Sequence, residues 1–222
     1  MFDDLRPFEK SVYSQCGEDG VLEQIFKEIG TTNRFFVEFG AGDGVFLSNT
    51  ANLRKHEGWD GLLMEGGERA DGEIVKREFI DAENIEPLFE KYGVPEKFDL
   101  LSIDIDGNDY WVWKAIERFR ARVVLMEYNI FFSLDAPLTM PYNAKHLWDD
   151  SVYHGASLAA FRKLGIEKGY ALVYCESYAP NAFFVDRAEL PSDWVDAPIE
   201  EITGWNCYTR PPDELNRPWQ SV

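Results

Sequence analysis

The chain has 222 residues, of which 45% are hydrophobic and 15% aromatic, so it is long enough to bury the core of one α/β domain. Its 40 acidic and 22 basic residues give a formal net charge of −18. A field of that sign repels phosphate backbones and anionic membrane surfaces. The length therefore predicts a single domain over residues 1–222. The charge predicts no nucleic-acid or membrane partner, although plain solubility also explains the acidity.

The cysteines and the N-terminal residues bear on the cellular compartment in which the protein is expected. Cys16, Cys175 and Cys207 lie far apart and lack the CxxC spacing of a zinc site or redox pair, so we expect reduced thiols. The N-terminus lacks a basic stretch followed by an apolar run, and no apolar stretch approaches the length of a membrane span. A cytoplasmic location is the expectation, and the oligomeric state is left open.

The first part of the chain alternates apolar runs with amphipathic stretches. Apolar residues at helical spacing predict a helix from Val21 to Ile29, with Gly30 at its C-cap. Five short apolar runs then predict strands over residues 35–39, 61–64, 78–80, 98–105 and 123–126. Runs without polar alternation are typical of a parallel sheet that helices cover on both faces.

The second part predicts how the sheet ends. Residues 129–153 carry prolines and many aromatic residues and are predicted to form a lid, and a helix follows over residues 156–168. Residues 170–175 and 182–185 predict an antiparallel hairpin, and residues 191–222 a strap packed by its tryptophans. Five strand–helix units followed by a hairpin favour an α/β fold with the Rossmann-like, seven-stranded sheet of methyltransferases, mostly parallel, over a dehydrogenase sheet.

A glycine-rich turn directly follows the first predicted strand, in Phe39-Gly40-Ala41-Gly42-Asp43-Gly44. Such glycines let a backbone approach a ligand closely, although a tight turn without a ligand also explains them. A dinucleotide fingerprint needs a further glycine where Val45 stands, so a nicotinamide cofactor is disfavoured. Glu38 is placed ahead of the turn to meet an ammonium group of the ligand.

Further polar residues complete a predicted nucleoside site. Glu65 ends the second strand, where a carboxylate can accept both ribose hydroxyls. Asp81 and Ala82 follow the third strand at the expected position of adenine, although a helix N-cap explains Asp81 equally well. Asn49, with its neighbours Ser48 and Thr50, is predicted to cap the next helix and to reach a carboxylate of the ligand.

Four segments together carry a resemblance to a known family. They are Tyr13-Ser14-Gln15-Cys16-Gly17-Glu18-Asp19-Gly20, the glycine turn, Gly58-Trp59-Asp60-Gly61 before Glu65, and Ser102-Ile103-Asp104-Ile105-Asp106-Gly107. Over residues 13–130 the chain resembles class I S-adenosylmethionine-dependent methyltransferases of the FkbM type. The resemblance implies methyl transfer to a hydroxyl of a sugar or other hydroxylated metabolite, with Gln15 and Asp104 among the contacts of S-adenosylmethionine.

The ends of the fourth and fifth strands should face the transferred methyl, because ligands of open α/β sheets bind at the carboxyl ends of strands. Asp104, Glu127 and Asn129 there resemble the metal ligands of metal-dependent O-methyltransferases and predict a Mg²⁺ or Mn²⁺ site. Glu127 and the intervening Tyr128 depart from the usual pattern. Asp106 is then predicted to be the catalytic base, although residues 106–109 also suit a turn and helix cap.

His154 is the rival base, because its ordinary pKa lies near neutrality. The aromatic residues of the lid either line the acceptor pocket or cover the core: they are Phe131, Phe132, Tyr142 and Trp148. The main hypothesis is thus an O-methyltransferase. The alternatives are an NAD(P)-dependent oxidoreductase and a non-catalytic protein that binds S-adenosylmethionine.

Overall fold

Seven strands form one twisted sheet in a computed structural model that describes residues 2, 4–178, 180–202 and 213–222. The strands of this sheet are β1 (Phe35–Phe39), β2 (Asp60–Glu65), β3 (Val75–Arg77), β4 (Lys97–Ile103), β5 (Arg120–Glu127), β7 (Tyr170–Cys175) and β8 (Asn181–Asp186). Two further short strands, β6 (Leu138–Thr139) and β9 (Gln220–Ser221), pair antiparallel with each other. The helices are α1 (Glu18–Ile29), α2 (Ala51–His56), α3 (Ile85–Lys91), α4 (Asp109–Ala115), α5 (Leu158–Glu167) and α6 (Ile199–Ile202). Short 3-10 helices cover Arg6–Phe8 and Arg187–Glu189.

The strand order of the main sheet is β3-β2-β1-β4-β5-β8-β7. Neighbours from β3 to β5 pair parallel, whereas β8 pairs antiparallel with both β5 and β7. The predicted α/β class, the mostly parallel sheet and the C-terminal antiparallel hairpin are confirmed. In the hairpin, β8 enters the sheet next to β5, and β7 takes the edge.

The third strand differs from its prediction over residues 78–80. It runs over Val75–Arg77 because Asp71 accepts hydrogen bonds from the amides of Glu73, Ile74 and Val75 and so turns the chain into the sheet earlier. Val75 is fully buried opposite Leu63 of β2. Val75 is the only apolar residue of the strand, so the apolar pair Phe79 and Ile80 placed the predicted strand too late in the chain.

Both faces of the sheet are covered, as parallel pairing requires. Alternate residues of β1 enter different cores: Val37 and Phe39 pack towards α3 and α4, whereas Phe36 packs towards α1. These sheet residues are fully buried. The two-sided core fixes the carboxyl ends of the strands at one edge, on which the loops described below are built.

The segment over residues 129–153 is held by the end of the chain. Its strand β6 pairs with β9, and Trp219 packs against Phe132 and Tyr153. In the predicted strap, Trp194 packs against Phe2, while Trp205 and Cys207 lie outside the described residues. Cys16 and Cys175 are free thiols. Among the described residues, no helix combines the length and the apolar character needed to cross a membrane.

Candidate active site

A cavity of about 560 Å³ opens at the carboxyl ends of β1, β2, β4 and β5. It straddles β1 and β4, where the strand order reverses, which is the usual place for a ligand in an open α/β sheet. The predicted site residues that line it are Gln15, Gly40, Gly42, Asn49, Glu65, Asp104, Asp106 and Glu127. The predicted residues that lie outside its lining are Glu38, Gly44, Asp81, Ala82, Asn129 and His154.

The glycine turn after β1 is shaped by close backbone packing. Gly40 has a φ of +65°, and a Cβ at this position would overlap the carbonyl oxygen of Asp104. Gly44, with a φ of +72°, packs instead against Leu63 and Val75, with 3.0 Å between each side chain and the position of a Cβ. Gly40 therefore lets β1 and β4 meet at the cavity floor, and Gly44 anchors the turn to the sheet.

Glu38 lies beneath this turn and differs from its expected place beside an ammonium group. It is 3% exposed, and it accepts hydrogen bonds from Ser48 Oγ at 2.8 Å, Thr50 Oγ1 at 2.5 Å and the Asn49 amide at 2.8 Å. Burial raises its pKa, against the effect of these donors. Glu38 thus holds the loop over residues 48–50, and Asn49 of that loop reaches the cavity.

Glu65 ends β2 at the cavity wall. Its Oε2 accepts the Gly42 amide at 3.1 Å, and its Oε1 accepts the Gly67 amide at 2.6 Å. Each carboxylate oxygen has two lone pairs, so both keep acceptor capacity on the cavity side. The two amides thus fix the carboxylate at the cavity wall and leave it able to accept further hydrogen bonds.

The segment after β3 supplies different residues from those predicted. Asp81 accepts the amides of Glu83 and Asn84 and so caps the turn before α3, and the Ala82 amide donates to Tyr142 Oη. Because β3 ends early, residues 78–80 line the cavity in their place. The contacts of Asp81 therefore favour a structural role in this turn, while the N-cap of α3 itself is Asn84.

The N-terminal motif over residues 13–20 contributes to the cavity wall. Asp19 Oδ2 accepts the amides of Val12, Tyr13 and Ser14 as well as Ser14 Oγ, which folds the motif around a single buried carboxylate. Gln15 and Glu18 of this motif line the cavity. Glu18 belongs to the motif that carries the family resemblance, but the sequence predicted no role for it.

Several carboxylates at the ends of β4 and β5 repel one another. Burial, followed by the charges of Asp106 and Asp109, raises the pKa of Asp104 well above its usual range. Burial and then Asp104 and Asp106 do the same to Glu127. Burial, with Asp109 and Glu65 adding to it, raises the pKa of Asp106 to about 6. Asp109 itself accepts the amides of Ile105 and Gly107 at 2.8 Å and holds the loop before α4, as the turn explanation requires.

The structure regroups the residues predicted to bind metal. Asn129 donates to the carbonyl oxygens of Val152 and His154, and its own oxygen accepts the Phe131 amide, so it ties the lid to β5. Ligand atoms of Asp106, Glu127 and His154 instead lie within 4.8 Å of one another. The two predicted bases therefore stand beside Glu127, and Asp104 and Asn129 are outside this group.

The lid contributes a residue that the sequence did not single out. His146 lines the cavity, and its Nε2 is buried without a hydrogen-bond partner in the part of the chain that the structure describes. Trp148 lines the cavity as well, whereas Phe131, Phe132 and Tyr142 lie outside its lining. No local pattern distinguishes His146 from a surface histidine, because the fold of the lid alone brings it to Asp106.

Comparison with known proteins gives likenesses of fold only. No protein-family model matches the chain, and neither does any curated protein. Among solved structures, CurJ carbon methyltransferase is similar with a TM-score of 0.45 and 10% identity over 75% of this chain and 52% of that one. An S-adenosylmethionine-dependent methyltransferase from Clostridium acetobutylicum is similar with a TM-score of 0.39 and 12% identity, over 73% of this chain and 87% of that one. An O-methyltransferase family protein from Burkholderia thailandensis is similar with a TM-score of 0.40 and 12% identity, over 77% of this chain and 58% of that one. The chain thus spans about half the length of the first of these, and at such identities the likeness extends no further than the fold.

Proposed function

We propose that this protein transfers a methyl group from S-adenosylmethionine to a hydroxyl group of a small molecule, as an FkbM-type O-methyltransferase. The observation that carries the proposal is a single cavity with two unlike ends. The glycine turn and Glu65 line one end, and Asp106 and Glu127 line the other, with His154 beside them outside the lining.

The residues present fit the proposed cofactor. The cavity has the usual size for a small-molecule site, and its carboxylates favour a cationic sulfonium. Glu65 retains acceptor capacity for the ribose hydroxyls. Gln15 and Asn49 offer amides to the methionine end, while Phe79 offers an apolar face to adenine.

The chain's own groups orient the acceptor and receive its proton. The chemistry that S-adenosylmethionine supplies when bound is an electrophilic methyl group on sulfur. Asp106 and His154 are the two groups placed to take the hydroxyl proton. Burial raises the pKa of Asp106, which makes its carboxylate a stronger base, and lowers the pKa of His154, which keeps the imidazole neutral and able to accept a proton. In-line positioning in a site of restricted water access provides the rest of the acceleration.

Divalent metal assistance is a second part of the proposal, favoured by the convergence of Asp106, Glu127 and His154. The two carboxylates suit Mn²⁺ or Mg²⁺, and the imidazole suits softer divalent ions. An ion held there would lower the pKa of the acceptor hydroxyl, and Asp106 and His154 would then serve as its ligands instead of as the base. In this assignment Asp106 and His154 take the place of Asp104 and Asn129 as metal ligands beside Glu127. Chelation followed by elemental analysis, with add-back of Mn²⁺ or Mg²⁺, tests it, and full activity without metal would reject it.

Calorimetry with S-adenosylhomocysteine, S-adenosylmethionine and NAD(P)⁺ tests the cofactor. We expect the two adenosyl compounds to bind and the dinucleotides not to, because β8 is antiparallel and Val45 replaces the third fingerprint glycine. Tighter binding of a dinucleotide would favour the oxidoreductase alternative. Binding of the adenosyl compounds without transfer of labelled methyl to any hydroxyl compound would favour the non-catalytic alternative.

A further inference from the structure

Large apolar side chains lie exposed around the mouth of the cavity. They are Phe46 (67% exposed), Leu47 (44%), Phe79 (42%), Leu147 (73%) and Trp148 (45%), and all of them line the cavity. Apolar surface gathered at one site and left open to water marks a binding surface. The mouth therefore suits a ligand that brings apolar surface of its own.

Phe79, Leu147 and Trp148 divide between the two ends of the cavity. The Phe79 ring lies 3.1 Å from the position of a Cβ on Gly66, next to Glu65, and so belongs to the cofactor end. Trp148 stands edge-on to the His154 ring, with 5.9 Å between the ring centroids. Leu147 precedes it in the same lid segment, so these two residues belong to the end where the methyl is transferred.

Trp148 is held in this position. Its indole Nε1 donates to the Ser151 carbonyl oxygen at 2.8 Å, so its polar atom is satisfied within the lid and the rest of the ring presents apolar surface. Its neighbour His146 packs against Gly107, directly after Asp106. An aromatic ring placed on Trp148 would thus lie beside the groups that receive the hydroxyl proton.

The charge at this end selects among aromatic ligands. Asp104, Asp106 and Glu127 line the floor. The one arginine or lysine among the described lining residues is Arg69, whose side chain lies 3.8 Å from the position of a Cβ on Gly42, at the cofactor end. A carboxylate or phosphate on the acceptor would find no arginine or lysine partner among the described lining residues at this end, and any of these carboxylates that is ionised would repel it.

We propose that the acceptor is a neutral or cationic aromatic compound with a phenolic hydroxyl, whose ring packs on Trp148 and Leu147 while its hydroxyl meets Asp106, Glu127 and His154. This inference rests on the proposed methyl transfer and narrows its acceptor from hydroxylated metabolites in general to phenols. The phenolic O–H passes its proton to Asp106 or His154, and an O–CH₃ bond forms as the S–CH₃ bond breaks. S-adenosylhomocysteine leaves as a neutral thioether. A phenol ionises near pH 10, about as tyrosine does, and so gives up this proton far more readily than a sugar alcohol.

Four acceptor probes test the inference: para-ethylphenol, tyramine, para-hydroxyphenylacetate and methyl glucoside. The first three share one phenol ring and differ in charge, and the last offers hydroxyls without a ring. Binding is measured by calorimetry with and without S-adenosylhomocysteine, and turnover by methyl transfer. We expect kcat/KM for para-ethylphenol and tyramine to exceed that for the anionic phenol and for the glucoside by about tenfold or more. A glucoside or anion that binds and reacts as well as tyramine would overturn the inference.

Matched variants locate the ring. Trp148→Ala should raise the KM for tyramine about tenfold with little change in kcat, since the packing surface is lost while the proton-accepting groups stay. Phe79→Ala should raise the KM for S-adenosylmethionine and leave that for tyramine unchanged. Phe8→Ala removes an equally exposed aromatic residue (41%) outside the cavity lining and should change neither. Unchanged tyramine binding in Trp148→Ala rejects the inference, whereas absent S-adenosylhomocysteine binding in the wild type rejects the proposed function, and the calorimetry separates the two.

Discussion

The two ends of the cavity that we assign to the cofactor and to methyl transfer, called the cofactor end and the transfer end below, differ in which hydrogen bonds their carboxylates accept. At the cofactor end, Glu38 accepts three hydrogen bonds and Glu65 accepts two, all from the loops that form the site. At the transfer end, the side chains of Asp104, Asp106 and Glu127 accept no hydrogen bond from any residue that the structure describes, and each has a raised pKa.

This difference separates two kinds of site. The cofactor end is built before a ligand arrives, because its charges are compensated by backbone amides and hydroxyls. The transfer end holds charges that the protein leaves uncompensated, and a ligand, a proton or a cation completes it. Perturbed, converging carboxylates in a cleft are typical of the part of a site where chemistry takes place.

The strongest way to break the cofactor end is Gly40→Ala. The left-handed backbone disfavours a side chain by about 1–3 kcal/mol, and the overlap with the Asp104 carbonyl oxygen adds to that cost, so we expect loss of S-adenosylhomocysteine binding and a marked fall in Tm. Gly93→Ala is the matched control, because Gly93 has a φ of +69° but no atom within 4 Å of the position that a Cβ would take. Equal Tm values for the two variants would show that close packing at Gly40 is unimportant.

Replacing the proton acceptors breaks the transfer end alone. Asp106→Asn and His154→Gln are each measured for turnover at saturating cofactor, and the true base should lose about 10²–10⁴ in rate. Affinity for S-adenosylhomocysteine should stay near that of the wild type, because neither residue lies at the cofactor end. If both variants keep more than a tenth of the rate, proton loss to bulk water becomes the better account.

Glu65→Ala sharpens the comparison within the cofactor end. Two ribose hydroxyls and the amides of Gly42 and Gly67 lose their acceptor, so we expect S-adenosylhomocysteine to bind about 1–3 kcal/mol more weakly by calorimetry. Asp81→Ala, which removes a carboxylate that holds the turn before α3 outside the cavity lining, should leave the affinity unchanged. The same affinity in Glu65→Ala and the wild type would remove Glu65 from the ribose site.

Glu176 is an exception near the cofactor end and gives the smallest expected effect. It is fully buried beside Glu18, its Oε1 accepts the Gly17 amide, and its Oε2 has no partner among the described residues. Burial, followed by Glu18 and then Glu9, raises its pKa from 4.5 to about 9. The folded protein therefore holds a proton here that the unfolded chain releases.

That proton sets the direction in which the free energy of unfolding changes with pH. Its contribution to the free energy of unfolding is complete below pH 4.5 and falls as pH rises through about 9. Glu176→Gln, neutral at every pH, should show a shallower decline in stability over this range in denaturant titrations. Parallel curves for the variant and the wild type would mean that Glu176 is ionised in the folded state.

Much of the cofactor end could be predicted from the sequence, because it is local. The strand from Phe35 to Phe39, the glycine turn and Glu65 follow one another within a short stretch of chain, and each has a steric or hydrogen-bonding reason of its own. The roles of Glu38 and Asp81 could not be predicted, since a carboxylate beside a loop serves a ligand or the loop's own amides equally well in sequence. The third strand was misplaced because Val75 alone carries its apolar signal.

By itself, the sequence determined the α/β class, the parallel strands with their terminal hairpin, and the position of the glycine turn, because periodicity and glycine content act over neighbouring residues. Only the tertiary structure decided which groups meet at the transfer end. Asn129 is drawn to the lid carbonyls, and His154 comes beside Asp106 and Glu127. The lid itself is held through pairing of β6 with β9, whose residues lie about eighty positions apart in the chain. Contacts over such separations depend on the closed core and the returning C-terminal segment, and no local pattern encodes them.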